Sequence, residues 1–225
     1  MEKEEKTEGI VLRSFDYKDH KRIITVFSQE CGLISLITRK IAKNNYRFLS
    51  LTTPFSQIEV VFKRGRSELF QLIDGTVLQE HLQLRERYLF LQTAGQLAQA
   101  IIRSQMPGKS TPALYLLFRS FLKQIPTFPD LPLLLSAFYL KLLRHEGLIA
   151  IAPQCTHCLE QPARFLLNGE SLCDQHTTPE AHSFSTEEWN CLLTIDQSQH
   201  FSSLSPPHFS SDLAEKISHL FHAGI

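Results

Sequence analysis

The sequence predicts a multidomain α+β protein, with a small β-barrel over residues 1–80 and an α-helical domain over residues 81–225 that carries an inserted module. Short segments rich in β-branched residues fill the first part, and apolar residues recur at helical spacing after Leu82. The module is indicated by two close pairs of Cys and His side chains within about residues 153–180. A hydrophobic fraction of 43% and a charged fraction of 20% are typical of a globular protein.

Five short strands are predicted in the first domain. They cover residues 9–15, 21–29, 33–38, 55–63 and 69–78. Turns are expected at Gly32 and Gly65, and a basic loop is expected between the third and fourth strands. The number and length of the strands fit an OB-fold barrel, although the same pattern is compatible with an SH3-like barrel.

The second domain is predicted to be helical. Helices are expected over residues 82–102, 112–122, 133–145 and 212–222, and a further helix is expected to start at Ser185. Ser185 and Glu188 have the spacing of a capping box. Prolines 126, 129 and 132 indicate a loop, and residues 198–211 are predicted to form another.

The inserted module has the ligand spacing of a zinc site. Two residues separate Cys155 from Cys158 and Cys173 from His176, and fourteen residues lie between the two pairs. Three thiolates and one imidazole satisfy a tetrahedral Zn²⁺ ion and leave no open position for water, which indicates a structural role. His157 and His182 are alternative ligands. A catalytic zinc would require one of the four main ligands to stay unbound.

The remaining cysteines, Cys31 and Cys191, are predicted to be buried or half-buried thiols rather than nucleophiles. This cysteine usage indicates no disulfide framework. The N-terminus is charged and lacks the apolar run of a secretory signal, and the longest apolar stretch, residues 131–143, is too short to span a bilayer. We therefore expect a cytoplasmic protein without a membrane partner.

Positive charge is concentrated in the barrel. Residues 9–70 contain eleven lysines and arginines against five acidic residues, whereas residues 177–225 contain one lysine against six acidic residues. This asymmetry predicts an anionic partner for the barrel, and aromatic residues among the basic ones suggest a groove for single-stranded nucleic acid. The candidate contacts are Arg13, Tyr17, Lys18, Lys21, Arg22, Arg39, Lys40, Lys43, Tyr46, Arg47, Lys63, Arg64 and Arg66.

Among the barrel aromatics, Tyr17 and Tyr46 are expected to stack on bases, whereas Phe15 and Phe48 are expected in the core. The alternative is a solvated charged face around core aromatics. No enzyme signature accompanies these residues. The nine glycines form no phosphate-binding loop, and Asp16, Asp19 and His20 read as a charge-balanced turn rather than an acid–base site.

Taken in order, several segments resemble the RecO family of recombination mediators. They are residues 9–17, 21–35, the basic loop 39–47, and residues 138–148, which lead into the Cys155 pair. The chain departs from the family pattern at Lys18, where an acidic residue is frequent, and at His176, where the fourth zinc ligand is commonly Cys. A histidine is chemically acceptable there.

The resemblance implies an N-terminal OB-fold, a helical domain and a zinc module. It also implies a non-enzymatic DNA repair protein, associated with the nucleoid, that binds single- and double-stranded DNA and anneals complementary strands. Such proteins act with RecR and RecF to load RecA onto strands covered by single-stranded DNA-binding protein (SSB). Contacts with partners, including the acidic C-terminal tail of SSB, would fall to basic helical residues, namely Arg103, Lys109, Arg119, Lys123, Lys141 or Arg144.

Two other functions remain open at this point. One is a zinc-stabilised protein-interaction scaffold whose basic barrel binds RNA or an acidic protein. The other is a metal hydrolase, which is disfavoured because all four ligand positions are filled by protein.

Overall fold

The computed structural model describes residues 4–18, 21–38, 46–65 and 67–225, and for Tyr46 and Arg47 it describes the backbone alone. The chain divides into two units, Met1–Pro129 and Asp130–Ile225. The predicted domain boundary at residues 80 and 81 follows the last barrel strand, but the helices of residues 88–124 group with the barrel in the first unit. The boundary at residue 80 therefore stays a prediction.

The first unit begins with a closed five-stranded barrel. Its elements are β1 (Glu4–Tyr17), β2 (Lys21–Ser28), β3 (Gly32–Ile37), α1 (Tyr46–Leu51), β4 (Gln57–Lys63) and β5 (Leu69–Gln79). The strand order is β1-β2-β3-β5-β4; β3 and β5 pair in parallel, and the other pairs are antiparallel. A five-stranded barrel of this order, with a helix between β3 and β4, is an OB-fold rather than an SH3-like barrel. The predicted fold class is confirmed.

Side chains alternate along each strand between the inside of the barrel, which they fill, and its outer surface, part of which packs against helices. Val11, Ile24 and Val26 point into the buried core. On the outside, Phe27 of β2 packs against the second of two helices, α2 (Tyr88–Ser104) and α3 (Pro112–Gln124), with its ring 5.9 Å from Tyr115 and 6.1 Å from Phe118. Towards the end of β1, Phe15 and Tyr17 are exposed on the outer side of the barrel.

Three boundaries in this unit differ from the prediction. Strand β1 begins at Glu4, because its charged first residues pair with charged residues of β4 and so need no apolar alternation. The predicted basic loop contains helix α1. The helix expected from Leu82 begins at Tyr88, since Leu82–Arg85 form a separate 3-10 turn.

The second unit combines helices with a small sheet. Its elements are α4 (Leu131–His145), β6 (Phe165–Leu167), β7 (Glu170–Leu172), β8 (His182–Ser183), α5 (Thr186–Gln197) and α6 (Ser211–Gly224). Helix α4 includes Pro132, which was predicted to be in the loop, because Asp130 caps the helix through a 2.9 Å hydrogen bond from the Leu133 amide. Tyr139 of α4 stacks on Phe221 of α6 at 4.2 Å.

The capping box at the start of α5 is confirmed. The Ser185 hydroxyl accepts a hydrogen bond from the Glu188 amide, and the Glu188 carboxylate accepts one from the Ser185 amide. The predicted loop over residues 198–211 contains a 3-10 turn at Phe201–Ser203. None of the helices in the described part of the chain has the length and apolar character that a membrane crossing requires.

Candidate metal centre and nucleic-acid interface

The four predicted zinc ligands lie together. The Sγ atoms of Cys155, Cys158 and Cys173 and a ring nitrogen of His176 all fall within 4.8 Å of one another. Cys173 Sγ is 3.2 Å from His176 Nδ1, and Cys158 Sγ is 3.9 Å from Cys173 Sγ. A tetrahedral zinc with bonds of about 2.3 Å to sulfur and about 2.0 Å to nitrogen places neighbouring ligand atoms about 3.5–3.8 Å apart. The donor set and its spacing therefore fit a zinc ion.

A β-hairpin brings the two ligand pairs together. Strands β6 and β7 are joined by Asn168 and Gly169, both in left-handed conformations, and Cys173 follows β7 directly. A Cβ atom at residue 169 would lie 2.2 Å from the Leu148 carbonyl oxygen, so only glycine fits there. The Asn-Gly dipeptide is a strong hairpin signal that the sequence prediction missed.

The electrostatic surroundings of the cysteine thiols favour a bound cation. Burial opposes ionisation of Cys155, but the backbone amides of Cys158, His157 and Cys173 donate hydrogen bonds that lower its pKa to about 6. Burial and the neighbouring thiols raise the pKa of Cys173. Thiolates that lie this close together repel one another, and a divalent metal among them supplies the compensating positive charge.

The alternative ligands lie outside this cluster. His157 forms a 3.0 Å contact through Nε2 with the Glu170 carboxylate, and its ring lies 5.5 Å from that of His176. His182 is exposed on β8. The module is anchored to α5 by Trp189, whose indole N–H donates to the Ala152 carbonyl at 3.2 Å.

Strand register in the barrel creates a face that mixes aromatic and basic side chains. On β1 and β2, Arg13 is paired with Thr25, Phe15 with Ile23, and Tyr17 with Lys21. Paired residues project to the same side of a sheet. Ile24 and Val26 of β2 point into the core, so Ile23, Thr25 and Lys21 between and beside them lie on the outside together with their partners on β1. A register shift between Val11 and Arg13 moves β1 by one position, which is why Val11 points inward and Arg13 outward. Strand β3 extends the outer surface through Ser35 and Ile37. We call Arg13, Phe15, Tyr17, Lys21 and Ile23 the barrel face.

The prediction that Phe15 belongs to the core is wrong. The residue is 43% exposed, close to the 47% of Tyr17, since the two residues are two positions apart on one strand and project to the same side. The Arg13 guanidinium lies 5.8 Å from the Phe15 ring centre. Phe48 packs against the barrel core, as expected. Phe15 is therefore a base-stacking candidate that the sequence prediction missed.

Several predicted DNA contacts are held by acidic neighbours. Arg22 donates to Asp16 at 2.9 Å and to the Thr52 hydroxyl at 3.2 Å. Lys63 lies 3.2 Å from Glu4, and Arg64 lies 2.8 Å from Glu5 with its guanidinium 5.0 Å from the Phe70 ring. These pairs reduce the positive charge that the three residues present to a partner.

Other basic residues are less constrained. Among the described residues, no carboxylate lies within ion-pair distance of Arg13, Lys18 or Lys21. Lys18 is exposed at the turn between β1 and β2. Arg39, Lys40, Lys43 and Arg66 lie outside the described residues, as do the side chains of Tyr46 and Arg47.

The predicted partner-binding residues are distributed over both units. Arg119 lies 3.6 Å from Glu8, Lys141 donates to the Ser198 carbonyl at 2.6 Å, and Arg144 donates to the buried Asp196 at 2.7 Å. These three have contacts within their own units. Arg103, Lys109 and Lys123 are exposed on or after the helices of the first unit.

Comparisons with known proteins point in one direction. The family model described as recombination protein O N terminal matches residues 1–81. The DNA repair protein RecO of Chlamydia trachomatis is 31% identical over 217 residues, which cover 95% of this chain and 89% of the relative. That of Chlamydia pneumoniae is 30% identical, covering 95% and 85%. That of Exiguobacterium sibiricum is 30% identical, covering 82% and 75%.

Proposed function

The chain belongs to the RecO family of DNA repair proteins, and we propose that it acts as a recombination mediator that binds single- and double-stranded DNA and anneals complementary strands. The barrel face is the observation that carries this proposal. It presents Arg13, Lys21, Phe15 and Tyr17 on one exposed surface of an OB-fold.

This combination of side chains suits a protein that joins strands without reading their sequence. Annealing brings two phosphate chains together, so their repulsion must be screened by cations such as Arg13, Lys18 and Lys21. Contacts with phosphate carry no sequence information. Phe15 and Tyr17 offer flat surfaces to unpaired bases of any identity, and such stacking tolerates sequence because every base has a π-face.

The metal centre has a structural role in this proposal. Cys155, Cys158, Cys173 and His176 would hold one zinc ion with no position left for water, and the ion would join the β6–β7 hairpin to the preceding Cys155 turn. We propose no catalytic activity for this site. Zinc binding would stabilise the module, because the ligands gather only when the chain folds.

We propose that the protein works with RecR, RecF and RecA and with the acidic tail of SSB. Exposed Arg103, Lys109 and Lys123 are candidates for such contacts. Arg119, Lys141 and Arg144 would have to exchange their present partners for an acidic one. Action in the cytoplasm at the nucleoid follows from the same proposal.

The test is annealing of two labelled complementary oligonucleotides, with and without the protein, over a range of salt concentrations. We expect acceleration that declines as salt rises, because counterion release drives phosphate binding. A variant with Arg13→Gln and Lys21→Gln should lose much of the acceleration, whereas Lys216→Gln, in the other unit, should retain it.

An absence of acceleration by the intact protein at low salt would contradict the proposal. Matched RNA oligonucleotides separate a mediator from a scaffold with an RNA-binding barrel. A scaffold would bind the RNA without increasing the rate at which DNA strands pair.

A further inference from the structure

A groove of about 280 Å³ opens beside the barrel face, within the first unit. One wall is the outside of the barrel and the other is the end of α2 with the turn after it. The principal lining residues are Arg13, Thr25, Ser35, Glu68, Ile102 and Pro107. The turn is held on β3 by a 2.9 Å hydrogen bond from the Gly108 amide to the Leu33 carbonyl. Both walls therefore belong to one hydrogen-bonded structure.

The groove is continuous with the barrel face through Arg13. This residue lines the groove, and its guanidinium also lies 5.8 Å from the Phe15 ring centre. A strand whose base stacks on Phe15 would place its phosphate within reach of Arg13 and its neighbouring base at the groove entrance. The volume is at the small end for ligand pockets, which start at about 300 Å³, so it suits one planar ring system better than a folded peptide.

The chemistry of the walls suits a nucleobase. Ile102 and Pro107 provide apolar surface for the faces of a ring. Glu68 provides a carboxylate for its edge, and this carboxylate has no cationic partner in the part of the chain that the structure describes. A carboxylate accepts a hydrogen bond from an exocyclic amine, which adenine, cytosine and guanine all carry, so the groove does not distinguish these three bases. Thymine has no exocyclic amine and offers only its ring N3–H, so it is disfavoured.

We propose that this groove binds a single unpaired nucleobase, with Glu68 accepting a hydrogen bond from an exocyclic amine of that base. The inference rests on the proposed function and adds a substrate class to it. Bases in a duplex are stacked inside the helix and cannot enter the groove, whereas single strands and duplexes make the same phosphate contacts. The groove therefore gives the barrel a preference for single strands over duplexes.

The first test fills the groove. Ser35→Phe places a ring in it, and Thr76→Phe adds the same ring at an exposed position of β5 outside it. We would measure the affinity for a single-stranded oligonucleotide, an abasic strand of equal length and a duplex. The wild type should prefer the base-containing strand by about tenfold or more. Ser35→Phe should reduce this ratio several-fold without changing duplex affinity, and Thr76→Phe should keep the wild-type ratio.

The second test substitutes a residue that lies outside the barrel strands. Glu68→Ala alters an exposed side chain, and we would compare the binding of oligo-dC with that of oligo-dT. The wild type should prefer oligo-dC by about fivefold, as expected for one hydrogen bond to a charged group, and Glu68→Ala should abolish the preference. Loss of the negative charge by itself should raise the affinity for oligo-dC and oligo-dT by the same factor. A change in the ratio of the two affinities therefore reports on the hydrogen bond to Glu68.

The outcomes separate this inference from the proposed function. If the wild type binds neither single strands nor duplex at low salt, the proposed function fails. If it binds both in a salt-dependent way, but Ser35→Phe and Glu68→Ala leave both ratios unchanged, the groove is not a base site and the proposed function stands. Thermal unfolding of each variant establishes that it is folded before its ratios are compared.

Discussion

The metal centre and the barrel face are assembled over very different distances along the chain. The centre takes its four ligands from residues 155–176, where two tight turns and one hairpin are enough to gather them. The barrel face depends on the register of β1, β2 and β3, in which Arg13 is paired with Thr25 and Thr25 with Ser35. A ligand set fixed by local spacing can be recognised from the sequence, whereas a surface made by strand pairing requires knowledge of which residues point outward.

The largest effect is expected when the metal centre is removed. Cys155→Ser deletes one thiolate ligand and should lower the free energy of unfolding by on the order of 4 kcal/mol, because binding of a structural zinc is coupled to folding. The measurements are the zinc content and the thermal unfolding midpoint. His157→Gln is the matched control, since His157 contacts Glu170 and lies outside the ligand cluster.

The same variant tests whether the two regions act independently. We expect that folded Cys155→Ser protein still binds DNA through the barrel. A variant that keeps the wild-type unfolding midpoint yet no longer binds DNA would show that the metal centre contributes to the DNA site directly.

On the barrel face, Phe15→Ala should weaken binding of single-stranded DNA by about tenfold, as expected for the loss of one stacked base. Its effect on thermal stability should be small, because the residue is 43% exposed. Leu82→Ala is the control, since Leu82 is an exposed apolar residue away from the barrel face. Fluorescence anisotropy of a labelled strand measures the change. Equal affinity for Phe15→Ala and the wild type would remove Phe15 from the interface.

A smaller effect distinguishes lysines that have an acidic partner from those that do not. Lys21→Gln should reduce the slope of log affinity against log salt by about 1, the contribution of one phosphate contact. Lys63→Gln should change it less, because Glu4 already lies 3.2 Å from the Lys63 amine. Both slopes come from titrations of one duplex at several salt concentrations.

Glu4→Gln provides the check on this reasoning. It releases Lys63, so Lys63→Gln in that background should then lower the slope as much as Lys21→Gln does. A full effect of Lys63→Gln with Glu4 intact would show that the ion pair does not compete with phosphate.

The smallest effect concerns acid sensitivity in the first unit. His81 precedes the Leu82–Arg85 turn, and burial, followed by the positive charge of Lys123, lowers its pKa to about 4. Because this value is below the unfolded pKa of 6.5, the stabilisation by neutral His81 is complete above pH 6.5 and is lost as the pH falls towards 4.

The comparison uses His81→Asn, because asparagine tolerates the left-handed backbone found at this position. Between pH 6.5 and 4 the unfolding midpoint of the wild type should fall by about 3 °C more than that of the variant. Any effect of acid on the cluster of Cys155, Cys158, Cys173 and His176 is the same in both proteins, so the difference reports on His81. Parallel curves would contradict the role assigned to this residue.

Local patterns in the sequence were enough to predict that the four Cys and His side chains lie together, as well as the five strands and the start of α5. Cys155, Cys158, Cys173 and His176 lie close in sequence, and Ser185 caps α5 through a residue three positions away. In such cases the residues that interact are also neighbours along the chain, so their spacing carries the information. The Asn168-Gly169 hairpin is of the same kind, and its signal was present in the sequence.

The tertiary structure decided which charges and rings face outward. Phe15 reads as a core residue in an apolar strand, but the register of β1 places it on the surface beside Arg13. Lys63 reads as a DNA contact, but the pairing of β1 with β4 brings Glu4 against it. Both outcomes depend on contacts between residues far apart in sequence, where a shift of one position reverses the exposed and buried sides of a strand.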